Sequence, residues 1–122
     1  RQMCKETEVG EGNLYDRIVK DAPFDEHTVA LYVAQVASAV SYLHQAGVMH
    51  RDIKPENIIC FGNTLKLADF GWSIFTAKPR KTLCGTMDYI SPEVVNREFY
   101  SNKIDCWSIG VLMYEMLTGQ AP

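Results

Sequence analysis

Val29, Val33, Val36, Val40 and Leu43 recur every three or four residues, the spacing that returns side chains to one face of an α-helix. Just ahead of this stripe, Asp25 suits an N-cap and Phe24 can staple against Val29, while Gly47 ends the run. A helix with one buried face is therefore expected, holding the loop that follows. A shorter helix is expected from Asn13-Leu14-Tyr15, directly after Gly12. Two brief apolar runs, Ile58-Ile59-Cys60 and Leu65-Lys66-Leu67, flank Phe61-Gly62-Asn63-Thr64 and predict a small hairpin. The stretch from Gly71 to Glu93 is mixed, polar and punctuated by Gly and Pro, which predicts a mobile loop. After it, Ser101 suits the cap of a last helix running through Thr118 and stopped by Gly119. On that helix Ile104, Trp107, Ile109, Val111, Leu112, Met113, Met116 and Leu117 cover more than one face, the pattern of a helix buried all round.

Composition changes this picture little. The 122 residues are 47% hydrophobic, enough for a core, and 12 basic against 15 acidic side chains leave no basic stripe for nucleic acid. No run approaches the ~20 apolar residues of a membrane span. Cys4, Cys60, Cys84 and Cys106 form no C-x-x-C pair and no metal-ligand spacing with His27, His44 or His50, so reduced thiols inside a cell are expected and zinc is not.

The chemistry is concentrated in His50-Arg51-Asp52-Ile53-Lys54-Pro55-Glu56-Asn57 and, farther on, Asp69-Phe70-Gly71. Phosphoryl transfer passes through a loose, charge-spread transition state, so a protein must mainly position groups and neutralise charge. Asp52 can orient an attacking hydroxyl and accept its proton, and Lys54 supplies a point charge near the moving phosphoryl group. Asn57 and Asp69 offer hard oxygens of the kind Mg²⁺ selects. Pairing of the hairpin strands would bring these last two together although twelve positions separate them.

These motifs resemble the catalytic loop and metal-binding motif of the eukaryotic protein kinases in wording and spacing. Lys54 is similar to the lysine of the enzymes that act on serine or threonine. The resemblance continues through Arg80 to Glu93 and into Asp105-Cys106-Trp107-Ser108-Ile109-Gly110. Asp69-Phe70-Gly71-Trp72-Ser73 and Thr82-Leu83-Cys84-Gly85-Thr86-Met87-Asp88-Tyr89 look most like the Aurora kinases, whereas Ser91-Pro92-Glu93 departs from their pattern. The implied fold is α+β, mainly α: a partial protein-kinase-like fold, the large C-terminal lobe only and itself truncated, with residues 1–122 running from the hinge exit to the central helix. No glycine-rich nucleotide loop or lysine-bearing strand precedes the catalytic loop, and Gly10-Glu11-Gly12 lacks the strand context of such a loop.

The resemblance implies ATP and Mg²⁺ as cofactors, with Asp52 and Lys54 catalytic, Asn57 and Asp69 on the metal, and Lys54, Glu56, Asn57, Ile59 and Asp69 toward the nucleotide. Ile59, Leu112 and Met116 resemble the apolar column beneath the adenine, though plain core residues would read identically. Thr82, following Arg80-Lys81, is the implied activation-loop phosphosite and Arg51 the group that clasps its phosphate; a loop threonine beside solvated cations is the plainer alternative. Gly85 and Thr86 are implied to position substrate. His50 and Phe70 are expected to pack, Trp72 likewise, and Cys84 reads as a small hydrophobe. Asp105 resembles a helix carboxylate that receives backbone hydrogen bonds from the catalytic loop. Glu93 is expected partly buried without the arginine that relatives place downstream.

Protein substrates with arginine near the target, regulatory partner proteins, and a nuclear, cytoplasmic or spindle and centrosome location in mitosis follow from the likeness alone. The isolated chain is expected to expose apolar surface and to be inactive. A non-catalytic fragment or pseudokinase serving as an interaction module remains the alternative, and a small-molecule phosphotransferase is disfavoured by the segment Thr82 to Glu93.

Overall fold

A computed structural model describes residues 12–68, 71, 73–75 and 87–122. The first helix, α1 (Leu14–Asp21), starts at a capping box: the Asp16 N–H donates to Asn13 Oδ1 at 2.9 Å and the Asn13 N–H reaches Asp16 Oδ2 at 3.5 Å. Gly12 precedes it with φ +97°, and a Cβ there would meet the Asp16 carboxylate at 3.3 Å. That backbone lets the Gly12 carbonyl accept the Cys60 N–H at 2.9 Å, docking the start of α1 on the hairpin.

Asp25 caps α2 (Glu26–Gln45) by accepting the Thr28 N–H at 2.7 Å. Its buried face carries Val29, Tyr32, Val36, Ala39, Val40 and Leu43, with Val33 only partly buried. Phe24 packs against the core that includes Val29 and lies edge-on to Tyr32, ring centroids 5.8 Å apart. The chain turns at Gly47, φ +77°, into β1 (Val48–Met49).

The hairpin forms as expected. β2 (Ile58–Phe61) and β3 (Thr64–Leu67) pair antiparallel with Ile58 opposite Leu67 and Phe61 opposite Thr64. Its turn is tied to both helices, since Arg17 Nη1 donates to the Gly62 carbonyl at 2.7 Å and Gln35 Nε2 to the Asn63 carbonyl at 2.8 Å. The stretch expected to be a mobile loop contains regular structure: β4 (Ile74–Phe75) pairs antiparallel with β1, a 3₁₀ turn covers Met87–Tyr89, and α3 spans Pro92–Val95. Two-residue strands carry too few positions for any periodicity to announce them.

The last helix, α4 (Lys103–Thr118), begins one residue later than expected. Asn102 occupies the cap position without a side-chain bond, while Ser101 Oγ accepts the Lys103 N–H at 3.4 Å; Gly119 ends the helix in the left-handed region. α4 is not buried all round. Val111, Leu112 and Met116 enter the main core with α1, α2 and the hairpin, whereas Trp107, Met113, Tyr114 and Leu117 remain 48%, 39%, 48% and 39% exposed. A second core of Met49, Val94, Tyr100 and Ile104, joined by Ile90, lies beneath the loop after β1. Among the described residues no helix is long and apolar enough to cross a membrane.

Candidate active site

The loop from His50 to Asn57 hangs between β1 and β2, and a single carboxylate on α4 sets its start. Asp105, fully buried, accepts the His50 N–H on Oδ2 and the Arg51 N–H on Oδ1, both at 3.0 Å. His44, at the end of α2, meets the same Oδ2 through Nε2 at 2.8 Å. Several N–H groups thus converge on one buried charge and offset its desolvation. The arrangement matches the structural role expected of Asp105, and His44 is a partner the sequence reading missed.

His50 has no solvent exposure and takes a structural part. The Asp52 N–H donates to its Nδ1 at 3.1 Å, so Nε2 carries the proton and donates to the Ala68 carbonyl at 3.0 Å. One ring therefore spans from the catalytic loop to the end of β3. Ser73 Oγ adds a bond to the His50 carbonyl at 3.3 Å.

Arg51 holds a left-handed backbone, φ +72°, which is unfavourable for a residue with a Cβ. Its Nη1 donates to the Tyr100 hydroxyl at 2.8 Å. Beyond this turn, Asp52 is 7% exposed and Asn57 5% exposed, with Ile53 and Pro55 anchoring the loop between them. Asn57 Nδ2 donates to the Asp52 carbonyl at 2.8 Å and to Asp52 Oδ2 at 3.1 Å, and Lys54 Nζ stands 3.7 Å from the same Oδ2. A carboxylate, an ammonium and an amide are thereby gathered at one place by the 3₁₀ turn Pro55–Asn57.

The Asn57 side chain spends its donor group on Asp52, which leaves Oδ1 as the hard oxygen it can offer to Mg²⁺. Its backbone carbonyl accepts the Ala68 N–H at 2.8 Å, extending the hairpin ladder by one pair. The residue before Asp69 is thus fastened beside Asn57. Asp69 itself lies outside the described residues, as do Phe70, Trp72, Thr82, Cys84, Gly85 and Thr86. Of the other candidates, Glu56 is exposed, Ile59 is half-buried on β2, and Leu112 and Met116 are wholly buried in the main core. Glu93 is half-buried, and Cys60 and Cys106 are free thiols, the first buried and the second exposed.

A second polar cluster lies where the 3₁₀ turn Met87–Tyr89 meets α4. Tyr89 donates its hydroxyl to Glu115 Oε1, and Ser108 Oγ donates to the Tyr89 carbonyl at 3.1 Å. Burial pushes the Tyr89 phenol far above its ordinary range, followed by the bond to Glu115 and by the charges of Glu115, Glu56 and Asp88. Nothing in the spacing of Tyr89 and Glu115 signals this pairing.

Comparison with known proteins follows the same lines. Residues 2–122 match the family model described as the protein kinase domain. The chain is 50% identical over 114 residues to an Aurora kinase of Eremothecium gossypii, 47% over 115 residues to one of Schizosaccharomyces pombe, and 47% over 113 residues to Aurora kinase A-B of Xenopus laevis. These alignments cover 91%, 93% and 91% of this chain but 31%, 32% and 28% of the relatives, so the chain spans about a third of their length. With a kinase family match along nearly its whole length and a loop in which Asp105 aims Asp52 beside Lys54 and Asn57, the chain belongs to the protein kinase domain family.

Proposed function

We propose that this chain carries the catalytic loop of an ATP- and Mg²⁺-dependent serine/threonine protein kinase of Aurora type. The observation that supports this most directly is the grouping of Lys54 Nζ and Asn57 Nδ2 on Asp52 Oδ2, at 3.7 and 3.1 Å. In this reading Asp52 orients the substrate hydroxyl and takes its proton as the oxygen attacks phosphorus. Lys54 places its ammonium beside the transferring group, and Asn57 Oδ1 with Asp69 holds the metal. Mg²⁺, when bound, neutralises phosphate charge; ATP supplies the phosphoryl group. Thr82 is the proposed activating phosphosite, Arg51 the group proposed to receive its phosphate, and Gly85 and Thr86 the residues proposed to position substrate.

Protein substrates with arginine near the target residue are proposed from the Aurora likeness. The Aurora likeness further proposes action in mitosis, at the nucleus, cytoplasm or spindle.

The test is phosphate transfer from labelled ATP, with the full-length protein that contains this chain, to serine peptides with and without upstream arginine. Asp52→Asn is expected to lower transfer by roughly 10²- to 10⁴-fold, the usual contribution of a general base. Transfer equally fast in that variant would overturn the assignment of Asp52, and indifference to the peptide arginine would overturn the substrate class.

A further inference from the structure

We infer that Tyr100 is a positioning residue for the catalytic loop, acting through Arg51. The inference rests on the kinase reading for its consequence, but its structural part stands on the bonds themselves. Tyr100 is 3% exposed, and its ring is packed in the second core with Met49, Val94 and Ile104. A ring fixed in this way carries its hydroxyl as a rigid anchor. That hydroxyl accepts Arg51 Nη1 at 2.8 Å.

Arg51 is the place where such an anchor matters. Its backbone is left-handed, φ +72°, a conformation that a residue with a Cβ holds only when its surroundings impose it. Two described contacts do so: the N–H bond to Asp105 Oδ1 at 3.0 Å, and the guanidinium bond to Tyr100. Both lead back to the same part of the chain, since Tyr100 lies just ahead of α4 and Asp105 lies in its first turn. Arg51 is therefore held by backbone from one partner and by side chain from the other. Asp52 follows it directly, so a relaxed turn at Arg51 would swing the carboxylate away from Lys54 and Asn57.

The placement differs from ordinary core packing in what a single atom does. Tyr100→Phe keeps the ring and its packing and removes only the anchor oxygen. In the full-length protein that contains this chain, this variant is expected to lower kcat about tenfold with the KM for ATP unchanged, because small misplacements of reacting groups reduce rate before they reduce binding. Combined with Arg51→Ala it should add no further loss, since the hydroxyl works through that arginine. Independently of activity, amide hydrogen exchange in the same variant should speed up severalfold at Arg51 and Asp52 while α4 amides from Val111 to Met116 stay as protected as before. A wild-type protein that transfers no phosphate would sink the kinase reading, yet the exchange measurement would still decide the positioning role. Unchanged exchange at Arg51 and Asp52, or losses from Tyr100→Phe and Arg51→Ala that simply add, would overturn the inference.

Discussion

Ser91 presents the plainest anomaly at the scale of one residue. Its hydroxyl is buried, 2% exposed, and has no hydrogen-bond partner among the described residues. It also stands at the cap of α3 without making a cap bond. A buried unsatisfied hydroxyl costs stability and a cap residue without its bond gains none, so Ser91→Ala is expected to stabilise the protein by about 1 kcal/mol. Urea unfolding of the two forms measures this, and a less stable alanine form would show that the hydroxyl is bonded. The position is the same one at which the sequence departs from the Aurora pattern. Other residues were legible from the chain alone because Asp52, Lys54, Asn57 and His50 sit in one uninterrupted phrase, the first three of types suited to the proposed chemistry and His50 of a type that can bond at both ring nitrogens. His44, Tyr100 and Glu115 were not, because each meets its bonding partner across 26 to 61 positions, and no local pattern records such a contact.

At the scale of elements, periodicity and caps did most of the work. The stripe from Val29 to Leu43 became the buried face of α2, and the two apolar runs became β2 and β3 with the expected turn. The short strands β1 and β4 carry no local signal because pairing across 25 and 27 residues, and no pattern within either, defines them. The start of α2 offers a measurement. Bonding from the Thr28 backbone N–H, then from its side chain, holds the Asp25 carboxyl below its usual range, although Asp25 is fully exposed. A depressed folded-state pKa means that the stabilisation is present above the unfolded value and disappears as pH falls through the folded one. Asp25→Ala should therefore lower Tm at neutral pH, and the gap between the two proteins should close in acid below the model-carboxylate range near pH ~4. A gap that persisted unchanged at pH ~2 would assign the loss to something other than the ionised cap.

For the molecule as a whole, the decisive feature is the unequal coverage of α4. One side is covered by α2 and the 3₁₀ turn Met87–Tyr89, and the other presents Trp107, Met113, Tyr114 and Leu117 to solvent. The sequence showed an apolar helix but not which side of it the 122 residues cover, since a list of apolar positions carries no account of how many partners are at hand. Contiguous apolar surface of this kind drives association. Residues 1–122 produced alone are expected to self-associate at micromolar concentration, and Leu117→Glu with Trp107→Glu should return them toward the monomer in sedimentation velocity. A monodisperse wild-type monomer with a cooperative melt would contradict this. The same preparation should show negligible phosphate transfer, because positioning of both reactants supplies roughly 7 to 11 kcal/mol of a typical barrier reduction and the chain spans about a third of the length of the relatives it matches.

The ladder pair between Asn57 and Ala68 makes the length of the hairpin a unit of measure. Strand pairing has a period of two, so its errors come in whole residues. Removing one residue from β3, with pairing kept from the turn, would seat position 69 opposite Asn57, and the next side chain in line would be the ring of Phe70 where the acid of Asp69 now follows. Such a deletion would exchange a charged oxygen for hydrocarbon in one step, which leaves this stretch of chain no gradual route to becoming longer or shorter.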